Sequence, residues 1–152
     1  MHRAGPGRGP GAPGYPSAVL HHITLWVPDL RRSERSWSWL LGQLGYVADR
    51  SVGSVLLFRH PSQFAIALEQ SDDMVPGMLY SRMRPGLNHL AFQVDATTLA
   101  RIGEEAHGHG WSLLPADRHP IAGGGEVAYL EDGDGFEIEL VSPPAVPAMP
   151  PD

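Results

Sequence analysis

A chain of 152 residues with a formal net charge of -6 suits one compact unit, or two small modules sharing a core. All of its basic residues are Arg and they form no cluster, so a surface that neutralises nucleic-acid phosphates is not expected. The absence of Cys removes disulfides, thiolate metal sites and cysteine nucleophiles together, which leaves His and carboxylates as the ligands for any metal.

Residues 1–18 are Gly/Pro-rich and lack the apolar stretch of a signal peptide, and residues 143–152 are again Pro-rich. Both read as flexible tails around a domain of residues 19–142. No apolar run reaches the length of a membrane span, and a cytoplasmic location is expected. The first element, Val19 to Val27, alternates as a strand: Ile23, Leu25 and Val27 share one face, and His22, Thr24 and Trp26 share the other. His21 falls on the core-side face as a structural residue. "LRRSERSWSWLLGQLGY" then predicts a helix with Asp29 as N-cap, Gly45 as stop, and an apolar stripe of Trp37, Leu40, Leu41 and Leu44. Three short strands follow, around Val47, "SVLLFR" and "FAIALEQ".

Residues 70–86 break the pattern and form a connector, with more apolar weight (three Met and a Tyr) than a plain linker needs. The pattern then restarts. "LNHLAFQVD" is a strand, "ATTLARIGEEAHGHGW" a helix that stops near Gly108 or Gly110, and "SLLPA" a weak strand. After the loop "DRHPIAGGG", the strands "EVAYLE" and "FEIELVS" form a hairpin through "DGDG". That turn lacks the spacing of a calcium loop, and "AGGGE" lacks the strand-to-helix setting of a phosphate loop.

The order is therefore a βαβββ unit written twice, over about residues 19–69 and 87–142, and an α+β fold of two such modules is expected. His22 to Val27 aligns with His89 to Val94, and Phe64, Ile66 and Leu68 align with Phe136, Ile138 and Leu140. If the helices cover the apolar faces, the opposite, concave faces carry His22, His89, Glu137 and Glu139. Two imidazoles and one carboxylate there would make a facial triad for a first-row divalent metal such as Fe(II), Mn, Co, Ni or Zn. Alternation does not choose between Glu137 and Glu139.

"HHITLWVPDLRRSERSWSWLLGQLGY", "GLNHLAFQVD" and "YLEDGDGFEIELV" resemble the opening and closing strands of the vicinal oxygen chelate superfamily. That superfamily includes glyoxalase I, the bleomycin- and fosfomycin-resistance proteins and the extradiol dioxygenases. The resemblance implies a curved mixed sheet around a concave site, with His22, His89 and Glu139 as metal ligands. It implies no fourth protein ligand, because Ala67 stands at that position and Glu69 is one pleat further along. "YLEDGDGFEIE" is similar to the closing motif of extradiol enzymes through Tyr129, Asp132, Gly135 and Glu139, with Gly133 where that motif usually has Pro. The function implied is an extradiol-type dioxygenase using Fe(II) on a small catechol-like substrate. In it Tyr129 donates to a developing oxyanion and His119 relays a proton; the alternatives for these two are a strand Tyr packed on a Pro-rich loop and a surface His. Arg118, in the same loop, either pairs with an anionic substrate group or is solvated. The alternatives are a metal-dependent isomerase, lyase or transferase, or a non-catalytic protein that sequesters a planar ligand near Trp26, Met74, Met78 and Tyr80. In this superfamily the modules sit in one chain or are exchanged between two, so a homodimer is expected. No nucleic-acid or membrane partner is expected.

Overall fold

The computed structural model describes residues 20–49, 54–78, 80–115 and 125–144. The two terminal tails expected from the sequence lie almost entirely outside these residues. Within them runs β1 (His22–Trp26), α1 (Leu30–Gln43), β2 (Val47–Asp49), β3 (Val55–Arg59) and β4 (Ala65–Glu69). After the connector come β5 (His89–Gln93), α2 (Ala96–Glu105), a 3-10 turn (Ala106–His109), β6 (Trp111–Leu114), β7 (Glu126–Asp132) and β8 (Glu137–Ser142). These are two βαβββ modules, each closing its own open four-stranded sheet in the orders β1-β4-β3-β2 and β5-β8-β7-β6.

The duplication extends to register. β1 lies parallel to β4 with His22 opposite Ala65 and Thr24 opposite Ala67. β5 lies parallel to β8 with His89 opposite Glu137 and Ala91 opposite Glu139. The helix boundaries follow local chemistry. Asp29 and Asp95 cap the two helices by accepting the Arg32 and Thr98 backbone N–H groups at 3.0 and 2.8 Å. α1 ends ahead of Gly45, whose φ of +84° reverses the chain, and the 3-10 turn ends on Gly110 at φ +83°. α2 is shorter than the sequence pattern suggests, because the tighter turn takes over at Ala106.

The apolar faces of both sheets pack on the helices into one core of Leu25, Val27, Leu40, Leu41, Phe58, Ile66, Leu68, Ile102, Leu130, Ile138 and Leu140. Trp37 joins the modules. It is fully buried, meets Trp111 and Phe136 edge-on at 5.3 and 6.2 Å, and its indole N–H donates to Asp132 Oδ2 at 2.9 Å. Asp132 Oδ1 accepts the backbone N–H groups of Asp134 and Phe136, both at 2.9 Å, while Asp134 pairs with Arg32 and lies 3.3 Å from Ser33 Oγ. Trp111 returns an indole bond to the Ser36 carbonyl at 3.0 Å. The "DGDG" segment is a hairpin turn as expected, and its two carboxylates also grip α1 from the other module.

The connector is similarly tied down. Tyr80 stacks on Phe136 with ring centroids 4.1 Å apart and hydrogen-bonds the Leu87 carbonyl. Arg82 pairs with Glu131 and Glu137. No helix among the described residues is long and apolar enough to cross a membrane.

Candidate metal centre

Strand alternation sends Leu90, Ile138, Leu140 and Leu130 into the core, so His89, Glu137, Glu139 and Tyr129 emerge together on the other face of the second sheet. Ala91, directly opposite Glu139, fills little of the space above its pleat, and His89 leans diagonally across it. His89 Nε2 stands 2.9 Å from Glu139 Oε2. Tyr129, opposite Glu139 on β7, donates its hydroxyl to the other carboxylate oxygen, Oε1, at 3.0 Å. Among the described residues each oxygen of Glu139 thus has one partner.

Tyr129 is 2% exposed, and its phenol is pushed up to about 12, first by burial, then by the hydrogen bond to Glu139 and the charges of Glu139 and Glu137. The phenol therefore remains a donor throughout the neutral range. Alkaline difference absorbance of wild type against Tyr129→Phe is expected to show no phenolate from this residue below about pH 11. A Tyr129 signal near pH 10 would contradict the buried geometry.

Glu137 shares the face but has a different partner. Its Oε2 lies 3.0 Å from Arg82 Nε, and its side chain is only 5% exposed. The guanidinium balances its charge as an ion pair, although Oε2 has no hydrogen-bond donor among the described residues. Of the two glutamates that alternation leaves equivalent, Glu139 is the one presented to His89.

The donor set suits a first-row metal. Ligand bonds of about 2.0–2.2 Å place neighbouring ligand atoms roughly 3 Å apart, which matches the spacing of His89 Nε2 and Glu139 Oε2. His89 Nδ1 is 2.8 Å from Asn88 Oδ1, the outer partner that a ligating imidazole requires.

His22 lies at the matching place in the first module, exposed at the head of β1, with its Nδ1 2.8 Å from His21 Nδ1. His21 is thus exposed and bonded to His22, contrary to its expected core-side position. The shared register aligns Ala67 with Glu139, and Leu57 with Tyr129, so this sheet face lacks the carboxylate and the phenol of its counterpart. Glu69 lies opposite Trp26 and accepts its indole N–H at 3.2 Å, away from the His22 position in the strand. Among the described residues of a single chain, no three His, Asp or Glu side chains come together as a metal-holding group. The chain unites His89, Glu139 and Tyr129 and leaves His22 on the other sheet. His119 and Arg118 lie outside the described residues.

Of the residues expected near a planar ligand, Trp26 bonds Glu69 through its indole. Met74 and Met78 line a cleft of about 240 Å³ with Pro28, smaller than the roughly 300–1,000 Å³ of most ligand sites, whereas Tyr80 is stacked on Phe136. Sequence reasoning did not find Arg82 or Asn88. Arg82 sits in an irregular connector, and the only signal for Asn88 is its place immediately before a strand-heading His.

The family model for the glyoxalase/bleomycin resistance protein/dioxygenase superfamily matches residues 21–129. The chain is 37% identical over 127 residues to the uncharacterized protein YqjT of Bacillus subtilis (strain 168), covering 82% of this chain and 98% of YqjT. A Bacillus halodurans structure described provisionally as a glyoxalase superposes with a TM-score of 0.71 at 32% identity, over 82% of this chain and 95% of that one. A mutant of the fosfomycin resistance protein FosX from Listeria monocytogenes, complexed with Mn(II) and 1S,2S-dihydroxypropylphosphonic acid, superposes with a TM-score of 0.59 at 25% identity, over 82% of this chain and 90% of that one.

Proposed function

The chain belongs to the glyoxalase/bleomycin resistance protein/dioxygenase superfamily, and from that premise we propose that it is a metal-dependent enzyme acting on a small substrate with two adjacent oxygens. Its centre consists of His89 and Glu139 from one chain and His22 from the second chain of a homodimer. The observation that carries this reading is the 2.9 Å pairing of His89 with Glu139 on the sheet face away from the core, with His22 at the same register on the matching face of the other sheet. Each chain then supplies both halves of the site, to different centres, as the closed symmetry of a dimer requires.

The reaction we assign first is extradiol-type dioxygenation of a catechol-like substrate, with Fe(II) as the metal. A bound divalent metal supplies Lewis acidity to two neighbouring substrate oxygens and lowers the pKa of a hydroxyl. The chain's own contribution is positional. Three protein ligands leave coordination positions for substrate, since Ala67 stands where a fourth would come. Tyr129 holds Glu139 by Oε1 so that Oε2 faces His89. Its donation to a substrate oxyanion follows when the hydroxyl exchanges partners, and His119 retains the role of proton relay. The likeness to FosX with bound Mn(II) and a diol phosphonate supports a second reading, a redox-neutral addition of water that opens the epoxide ring of a small phosphonate to the diol on the same ligands.

Protein purified without oxygen and loaded with Fe(II) is expected to consume O₂ with one or more simple catechols, monitored by an oxygen electrode. Wild-type protein that shows no uptake with any catechol, yet with Mn(II) opens an epoxide phosphonate to the diol, would establish the second reading and exclude the first.

A further inference from the structure

A connected set of hydrogen bonds leads from the connector to the candidate centre and fixes a proton on the way. Asn88 Nδ2 donates to the Arg82 carbonyl at 3.1 Å, and Asn88 Oδ1 lies 2.8 Å from His89 Nδ1. A backbone carbonyl only accepts, so the amide nitrogen of Asn88 must be the atom that faces Arg82. The amide oxygen then faces His89, and because that oxygen only accepts, His89 Nδ1 must carry hydrogen. In the neutral ring this leaves the Nε2 lone pair as the one aimed at Glu139 Oε2, 2.9 Å away. Two lone pairs at that distance repel unless a proton or a metal ion stands between them.

The anchor itself is held. The Arg82 side chain pairs with Glu131 on β7 and Glu137 on β8, so its carbonyl is fixed relative to the sheet that carries Glu139. Among the described residues the first module has no equivalent fixing. There the position before the ligand candidate is His21, and the Nδ1 to Nδ1 contact of 2.8 Å is satisfied with either ring as donor.

We propose that Asn88 is a positioning residue that holds the His89 ring by its Nδ1–H, so that Nε2 is the nitrogen turned to Glu139 and to a metal ion, and that couples this orientation to the seating of the connector through the Arg82 carbonyl. The metal part rests on the proposed function; the orientation part does not. Asn88 is exposed, and among the described residues its side chain bonds only the Arg82 carbonyl and His89, so its replacement is expected to leave the fold intact.

The test uses the full-length protein and two variants. In Asn88→Ala both bonds are lost, while Asn88→Asp keeps an acceptor for Nδ1–H, loses the donor to Arg82 and adds a charge. Nuclear Overhauser contacts of the His89 ring protons in the metal-free proteins report the ring's orientation, and calorimetric titration with Mn(II) alone reports affinity. Wild type and Asn88→Asp are expected to hold one ring orientation with Nε2 toward Glu139, and Asn88→Ala to show a mixture. Mn(II) affinity is expected to fall about 10–100-fold in Asn88→Ala and to recover in part in Asn88→Asp. An unchanged ring orientation in Asn88→Ala, or a loss that Asn88→Asp does not rescue at all, overturns the proposal. If the orientation responds as stated but no protein binds Mn(II), Fe(II) or Zn(II), the positioning role stands and the metal-dependent function fails.

Discussion

His89→Ala and Glu139→Ala are each expected to reduce metal content of the purified protein to background, measured by elemental analysis after anaerobic purification and gel filtration. Removing an outer partner of a ligand costs about 10–100-fold in affinity, and removing one of three protein ligands costs more. Glu137→Gln provides the contrast. Glu137 is equivalent to Glu139 by strand alternation, yet its carboxylate is committed to Arg82 at 3.0 Å, so its loss is expected to leave metal content near wild type. Equal losses in Glu137→Gln and Glu139→Ala would mean that the choice between the two carboxylates has been read wrongly. Tyr129→Phe is expected to retain metal, because it removes a hydrogen bond to Oε1 and leaves Oε2 in place.

The second large effect concerns the junction of the modules. Trp37→Ala is expected to destabilise the fold by about 3–5 kcal/mol, the usual cost of deleting a buried Trp, and so to remove a large share of the ~5–15 kcal/mol that holds a typical domain together. Trp37 is fully buried, so the void cannot be filled by solvent-facing rearrangement, and its indole is a donor to the buried Asp132 carboxylate. Trp37→Phe separates the two contributions. It keeps most of the ring packing and removes the donor, for an expected loss of about 1–3 kcal/mol. The second loss depends on pH. Burial raises the Asp132 pKa above the ordinary carboxylate value, and the Trp37 indole and the Phe136 and Asp134 N–H groups oppose that rise. An acid whose pKa is raised by folding favours the fold below its unfolded value, and that advantage is lost as pH rises through the folded value. Removing the indole raises it further. The stability gap between Trp37→Phe and wild type, measured by urea denaturation, is therefore expected to widen as pH rises from the acid side toward neutrality. A gap that is constant with pH would show that the indole does not act on the ionised carboxylate.

How much of this was legible in the sequence differs by element. The alternation of Ile23, Leu25 and Val27 against His22, Thr24 and Trp26 assigned the faces of β1 correctly, because period-two burial leaves no other way to hide three apolar side chains. The duplicated modules were legible for the same reason, down to the register that sets Ala67 against Glu139. Pairings between distant segments were not legible. "DGDG" announces its turn through local backbone preferences, but nothing local records that Asp132 accepts from an indole 95 residues away. The commitment of Glu137 to Arg82 depends on how an irregular connector folds back over the sheet, which has no periodicity to read. The position of His22 relative to His89 is a question of assembly, and a single chain's pattern contains no answer to it.

Assembly is also where the account is most directly tested. His22→Ala and His89→Ala proteins, each expected to be metal-free, are mixed, partially unfolded, refolded together and assayed for bound metal. If each centre draws His22 from one chain and His89 with Glu139 from the other, a mixed dimer contains one intact centre. Statistical remixing then restores about a quarter of wild-type occupancy. No restoration from a mixture that demonstrably forms mixed dimers, or full metal binding by a wild-type monomer, would contradict a centre shared between two chains.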